Sequence, residues 1–320
     1  MRIVFMGTPE FAVESLNALI KAGNDVCAVV TVPDKPAGRG LLPRKSEVKK
    51  FAEVKGLPVL QPVKLKDENF ISELRKFNAD LFVVVAFKLL PEVIWQMPKK
   101  GTINLHASLL PDYRGAAPIN WAIINGEKIT GITTFFIEKE IDIGKIIHYE
   151  EVSINETDNA GVLHNLLMKK GAGLLVKTVN SIEKENYQPI SQQQLIVPGK
   201  KLKTAPKITR NTCKINWKLK VNDIYNHIRG LSPYPAAWTF LENKSTGKNI
   251  TIKIFSAEII DGRHNSAFGE IISDGNNYMY ITCDGGIISI TELQSEGRKR
   301  MCIADFLRGF RRIDEWKIIQ

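Results

Sequence analysis

What most constrains this chain is the order of its apolar segments. Arg2–Met6 (RIVFM), Val26–Val32, Pro58–Leu60 and Leu81–Val85 (LFVVV) are short runs rich in β-branched residues. Between them lie segments of helical period. Phe11, Val13, Leu16, Leu19 and Ile20 share one face, Ser46 to Lys55 reads as a further helix, and Phe70, Ile71, Leu74 and Phe77 share another face. A run such as LFVVV, with no polar alternation, is the pattern of a strand covered on both sides. Strands alternating with helices predict an α/β fold: a Rossmann-like, mostly parallel sheet with helices on both faces. In such sheets ligands sit beyond the carboxyl ends of the strands. Thr102 to Leu105 is a further short strand, so His106 is expected at a strand end.

The pattern then changes. Ile132–Ile137 and Lys145–Val152 predict two strands joined by a tight loop, followed by a long helix from about Asn159 to Lys184. Residues 189–205, rich in Gln, Lys and Pro, read as a linker that separates a domain of residues 1–188 from one of residues 206–320. In the latter, Ile250–Phe255, Tyr278–Thr282 and Gly286–Leu293 alternate or carry β-branched residues, with turn signals at Asp274-Gly275 and Asp284-Gly285. A smaller β-barrel, OB-like, flanked by short helices near Val221–Arg229 and Ile303–Arg308, is expected there. The longest apolar run falls far short of the roughly 20 residues needed to cross a bilayer, and no leader is visible. Four isolated cysteines among five histidines predict free thiols rather than a metal site or disulfides. A cytoplasmic monomer with no membrane partner is the expectation.

One stretch stands out for chemistry, 101-GTINLHASLLPDYRGAAPINWAIINGE-127, where Asn104, His106, Ser108, Tyr113, Arg114 and Asn120 crowd between Gly and Pro. A single histidine is by default a satisfied structural residue. Asn104 changes the weighing, because alternate strand residues point the same way and would place an amide beside the imidazole at the sheet's end. Asp142, in Glu140-Ile141-Asp142-Ile143-Gly144, falls in the tight loop between the next two strands. Spacing alone leaves it a turn residue.

The same stretch resembles the signature of the formyltransferases that use 10-formyltetrahydrofolate. The resemblance extends to MGTPEFAVESL at the start, VPDKPAGRG at 32–40, IDIG at 141–144, and LSPYPAAW and IADFLRGFR in the second domain, so it covers nearly the whole chain. Two positions depart from it: Ile143 stands where a threonine is usual, and Lys88 where a glycine is usual. The resemblance implies that Asn104, His106 and Asp142 are the catalytic residues, with 10-formyltetrahydrofolate as formyl donor and no metal. It further implies a folate pocket bordered by Phe87, Leu89, Leu90, Ser108, Leu109, Leu110 and Pro111, with Glu138, Ile141 and Gly144 of the loop. For Leu89 and Leu90, ordinary core packing is an equal alternative.

The formal charge is +10, with 27 basic against 22 acidic residues in 1–203 and 17 against 12 in 204–320. An excess of this kind suits a polyanionic partner but does not require one. It is concentrated locally, in Lys35, Arg39, Arg44 and Lys45 of a Gly/Pro-rich loop and in Arg298, Lys299 and Arg300. By the resemblance these groups meet the acceptor, initiator methionyl-tRNA, with Arg39 as the principal contact. Trp217, Tyr234 and Trp238 are candidates for stacking on bases, with core packing the simpler role. Three rivals remain. A nicotinamide-dependent oxidoreductase would carry GxGxxG after the first strand, where this chain has only Gly7 before Thr8-Pro9-Glu10. A non-enzymatic RNA-binding protein explains the charge but not the Asn104–His106–Asp142 set. A sister formyltransferase acting on an amino-sugar nucleotide shares the catalytic residues and lacks a reason for the basic loop.

Overall fold

The structure, a computed structural model, describes residues 1–37, 42–260, 262, 266–310 and 312–319. It divides into two compact units. The first comprises Met1–Gly115, Ile129–Ser153 and His164–Thr204, and the second Ala116–Lys128, Ile154–Leu163 and Ala205–Gln320.

The first unit is built on a seven-stranded sheet. Its strands are β1 (Arg2–Gly7), β2 (Asp25–Val30), β3 (Val59–Leu60), β4 (Leu81–Val85), β5 (Thr102–His106), β6 (Ile129–Phe136) and β7 (Ile146–Ser153). Their order across the sheet is β7-β6-β5-β4-β1-β2-β3. The pairs β1–β2, β1–β4, β2–β3 and β4–β5 are parallel, while β6 runs antiparallel to both β5 and β7. The order therefore reverses between β1 and β4, and β4 and β5 end on the side where such sheets receive ligands.

Local chemistry explains the helices. α1 (Glu10–Lys21) begins directly after Pro9 and buries Phe11, Ala12, Leu16 and Leu19. α2 (Glu47–Val54) and α3 (Glu68–Lys76) each start at a side-chain cap: the Ser46 hydroxyl accepts from Lys49 N–H and the Asp67 carboxylate from Phe70 N–H. Phe70 and Leu74 of α3 pack with Val4, Met6, Ala28, Val30, Phe82 and Val84, which point to one face of the sheet. Each buried Val, Leu, Met or Phe side chain among them is worth about 1.5–3 kcal/mol relative to exposure. The long helix Ala160–Glu183 lies against the opposite face. There Gly171 sits so close to Leu105 that a Cβ would come within 2.9 Å of it, and the Thr178 hydroxyl meets that of Thr134 at 2.8 Å.

In the second unit, β8 (Ala237–Asn243), β9 (Asn249–Ile260), β10 (Ile271–Ser273), β11 (Met279–Cys283), β12 (Gly286–Ser295) and β13 (Trp316–Ile319) form an antiparallel sheet of order β10-β11-β12-β9-β8-β13 that curls into a nearly closed barrel. Trp217 fills its interior, fully buried, with its indole N–H donating to the Thr239 hydroxyl at 3.1 Å. Trp238 is 8% exposed and likewise belongs to this core, whereas Tyr234 is 82% exposed. The core expectation therefore holds for the two tryptophans and not for the tyrosine. A helix over Val221–Leu231 packs on Pro118–Ile124. Asn120, grouped with the catalytic stretch by sequence, belongs to this unit, where its amide donates to Gly230 O at 2.7 Å. Among the described residues no helix is long and apolar enough to cross a membrane.

Candidate active site

Asn104 and His106, two residues apart at the carboxyl end of β5, project from one face of the sheet. Asn104 pairs in register with Phe135 of β6, and His106 with Thr133. Asn104 is half-buried, and within the described residues its amide makes no hydrogen bond to protein, which leaves its N–H groups available to a ligand. His106 is 6% exposed, with its ring edge-on to Phe135 at a centroid distance of 6.5 Å.

The imidazole is oriented by its two nitrogens. Nε2 lies 2.9 Å from the backbone carbonyl of Tyr113. A carbonyl can only accept, so Nε2 carries a proton and donates it there. The other ring nitrogen, Nδ1, faces Asp142 Oδ2 at 3.9 Å. That separation is well beyond the ~2.7–2.9 Å of a charge-assisted hydrogen bond. The carboxylate thus acts on the ring by field, and a proton on Nδ1 stays available to a bound group. Asp142 Oδ2 is itself held by the Gly115 N–H at 3.0 Å.

The loop that presents Asp142 is tightly determined. Asp142 has φ 56°, in the left-handed region that costs a non-glycine residue energy. At Gly144 a Cβ would lie 1.7 Å from the Phe136 carbonyl oxygen, so only glycine passes there. Gln192 closes the loop from outside. It is 2% exposed, and its Nε2 donates to the carbonyls of both Asp142 and Gly144 at 2.9 Å. Its Oε1 accepts from Arg114 Nε at 3.0 Å and Nη2 at 2.5 Å. Burial lowers the pKa of the Arg114 guanidinium, and the charge of Asp142 opposes that shift. Gln192 lies in the segment expected to be a linker, and nothing in its composition singles it out. The carbonyl of Tyr113 was equally invisible, because a backbone partner leaves no residue-type signal.

The residues expected around the folate separate by exposure. Leu89 is 68% exposed and Ile141 58%, so both offer uncovered apolar surface. Leu90 is buried in the core with Phe82 and Ile94, and Leu110 is buried with Phe135 and Ile146. Phe87 packs partly on the Leu90 cluster. Ser108 is fully buried, its hydroxyl donating to Asp112 O at 2.8 Å and its carbonyl accepting from the Thr133 hydroxyl at 2.7 Å. Leu109 packs over Gly131, where a Cβ would come within 2.4 Å of its side chain. Pro111 is buried, and Glu138 lies beside Gly144.

Of the basic residues, Arg39 lies outside the described residues. Lys35–Ala37 and Leu42–Arg44 form a two-stranded hairpin on either side of it. Lys35 and Arg44 are exposed, and Lys45 pairs with Glu53 at 2.8 Å. The base of the hairpin is fixed by Lys49 Nζ, which donates to Asp34 at 2.6 Å and to Gln61 at 2.7 Å. In the second unit Arg298 and Lys299 are exposed, while Arg300 pairs with Glu292 and covers the Phe255 ring at 4.6 Å.

An amide donor and a titratable imidazole with a nearby carboxylate, at the strand ends of a Rossmann-like sheet, equip this unit to stabilise an oxyanion and move a proton in group transfer. Residues 1–179 match the family described as formyl transferase, and residues 207–311 that described as formyl transferase, C-terminal domain. The chain belongs to the formyl transferase family. It is 50% identical over 318 residues to a methionyl-tRNA formyltransferase of Bacteroides thetaiotaomicron, an alignment spanning 99% of this chain and 98% of that relative. It is 53% identical over 310 residues to the methionyl-tRNA formyltransferase of Azobacteroides pseudotrichonymphae, spanning 96% and 95%. Among solved structures, it superposes on the N-formyltransferase of Helicobacter canadensis in complex with folinic acid and dTDP-3-aminofucose, with a TM-score of 0.60 at 22% identity over 90% of this chain and 98% of that one. HypX of Aquifex aeolicus in complex with tetrahydrofolic acid gives 0.60 at 18% identity over 97% of this chain and 47% of that one. At these identities the structural likeness is one of fold.

Proposed function

We propose that this enzyme transfers the formyl group of 10-formyltetrahydrofolate to the methionine amino group of initiator methionyl-tRNA, acting in the cytoplasm as a monomer. In this reading residues 1–188 carry catalysis, 189–205 connect while lending Gln192 to the catalytic unit, and 206–320 dock tRNA. The observation that carries the chemistry is the His106 ring, held at Nε2 by Tyr113 O and facing Asp142 with Nδ1. The neutral amine attacks the formyl carbon and a C–N bond forms. The carbonyl oxygen becomes an oxyanion, met by the Asn104 amide and by N–H from protonated His106 Nδ1. Loss of one such donor typically costs ~10²–10³ in rate. The attacking nitrogen loses a proton, the bond from carbon to the folate nitrogen breaks, and that nitrogen takes up a proton. His106 is the shuttle: Nδ1 gives its proton to the folate nitrogen and then takes up the one the attacking nitrogen releases, so the imidazole ends as it began. Asp142, 3.9 Å from Nδ1, would stabilise the positive charge that the ring carries during transfer.

The exposed apolar side chains of Leu89 and Ile141 suit the flat ring system of the folate, and the loop from Glu138 to Gly144 would supply its backbone hydrogen bonds. Phe87, Leu90 and Ser108 to Pro111 shape the floor from beneath. Supporting tRNA as acceptor are the relatives of about 50% identity along nearly the whole chain and the basic residues Lys35, Arg39, Arg44 and Lys45 close together in sequence. Phosphate contacts by Lys35, Arg39, Arg44, Lys45 and Arg298–Arg300 would position the tRNA and weaken with salt. The test is a competition. Purified protein and 10-formyltetrahydrofolate are offered methionyl initiator tRNA and a dTDP-amino sugar together. Formyl-methionyl-tRNA as the product supports the reading, and formylation of the sugar alone overturns it.

A further inference from the structure

We infer that Gln192 is a positioning residue for the formyl-transfer site, holding the loop that presents Asp142. The side chain is buried and bridges two elements far apart in sequence. Its amide N–H groups fix the Asp142 and Gly144 carbonyls, and its oxygen is fixed in turn by two Arg114 N–H groups. All the polar capacity of the Gln192 amide directed at these partners is used, so the amide has one orientation: reversing it would set Oε1 against two carbonyl oxygens and NH₂ against a guanidinium. The two carbonyls it grips flank Ile143. They define the segment in which Asp142 takes its left-handed φ and Gly144 lies against Phe136 O. Asp142 approaches His106 without a direct hydrogen bond, and among the described residues its carboxylate accepts from the Gly115 N–H. The carboxylate's place is therefore set from the backbone, and Gln192 is the side chain that sets it. Arg114 and Gly115 are adjacent, so the Arg114 end of the bridge and the Gly115 N–H that holds Asp142 belong to one short segment.

This inference rests on the assignment of Asp142 to the reaction. A displacement of about 1 Å in such a group can cost ~10²-fold in rate. Three substitutions separate the two ends of the bridge. Gln192→Met removes both. Gln192→Glu keeps the acceptor for Arg114 but sets a carboxylate oxygen against the two loop carbonyls. Gln192→Asn keeps both chemistries on a shorter stem. Steady-state formyl transfer is measured for each, with folding checked by circular dichroism, Gln193→Ala as a surface control and Asp142→Asn in parallel. For Gln192→Met and Gln192→Glu we expect kcat to fall ~10–10²-fold with the KM for methionyl-tRNA unchanged, and Gln192→Asn to recover part of the loss. If Gln192→Met does not fold, Gln192→Glu, which retains the Arg114 contact, decides. A folded Gln192→Glu protein with lowered thermal stability and kcat within twofold of the unaltered enzyme would make Gln192 merely structural and overturn the inference. Full activity in Asp142→Asn would instead overturn the site assignment beneath it.

Discussion

Asp142→Asn isolates the electrostatic part of the proposed mechanism. The substitution keeps the side chain's shape and an oxygen for the Gly115 N–H, removes the charge and turns the second oxygen into an NH₂. The carboxylate oxygen lies 3.9 Å from His106 Nδ1, and the two side chains are 15% and 7% exposed. Unit charges at that separation attract by roughly 1 kcal/mol in bulk water and roughly 4 kcal/mol at an effective dielectric of about 20. With about 1.4 kcal/mol per tenfold in rate, the loss spans about fivefold to about 10³-fold. The low exposure of both groups places the expected fall in kcat near 10²-fold. Asp142 stabilises positive charge that His106 carries during transfer, so the effect belongs to the transition state and the KM for methionyl-tRNA should stay unchanged. The assay is steady-state formyl transfer with both substrates varied, on protein shown to be folded. A kcat within threefold of the unaltered enzyme would refute the field argument and return Asp142 to the role of a turn residue.

Other consequences are independent of that one. Arg39→Ala should raise the KM for methionyl-tRNA strongly and reduce its salt dependence, with kcat nearly preserved; an unchanged KM removes Arg39 from tRNA recognition. Trp217→Ala empties the centre of the barrel and should cost about 3–5 kcal/mol in urea unfolding followed by circular dichroism, and a loss below about 1 kcal/mol would contradict its complete burial. Burial pushes the Cys283 thiol up to about 12, whereas Cys302 is exposed. Iodoacetamide at pH 8 should therefore modify Cys302 while Cys283 reacts only on unfolding. Because the folded-state value of Cys283 lies above that of a free thiol, its contribution to stability should be intact at neutral pH and lost as pH climbs from about 8.5 toward 12.

The first sheet was legible because its signals are local. LFVVV reads as covered on both faces, and the helices expected from Ser46 and over Phe70 to Phe77 follow from apolar spacing alone. Strand periodicity likewise placed Asn104 and His106 together at a strand end. Asp142 was different. Its spacing marked a turn, and its role came only through family resemblance, because what brings it to His106 is tertiary: the antiparallel return of β6 and β7 and the grip of Gln192. The Tyr113 carbonyl that orients the imidazole has no side-chain signature at all. Asn120 shows the converse failure. It sits in the catalytic stretch by sequence, yet a short helix carries it into the second unit, where it satisfies Gly230. Trp217, Tyr234 and Trp238 were alike on paper, and only packing separates two core indoles from an exposed phenol.

The most direct test of the central claim is single-turnover formyl transfer from 10-formyltetrahydrofolate to methionyl initiator tRNA, comparing the unaltered enzyme with His106→Ala at saturating enzyme. Removing the imidazole takes away both the Nδ1 proton carrier and an oxyanion donor, and a rate lower by at least ~10²-fold is the expected result. A folded His106→Ala protein that forms formyl-methionyl-tRNA at a near-normal rate would contradict the assignment of proton transfer to His106.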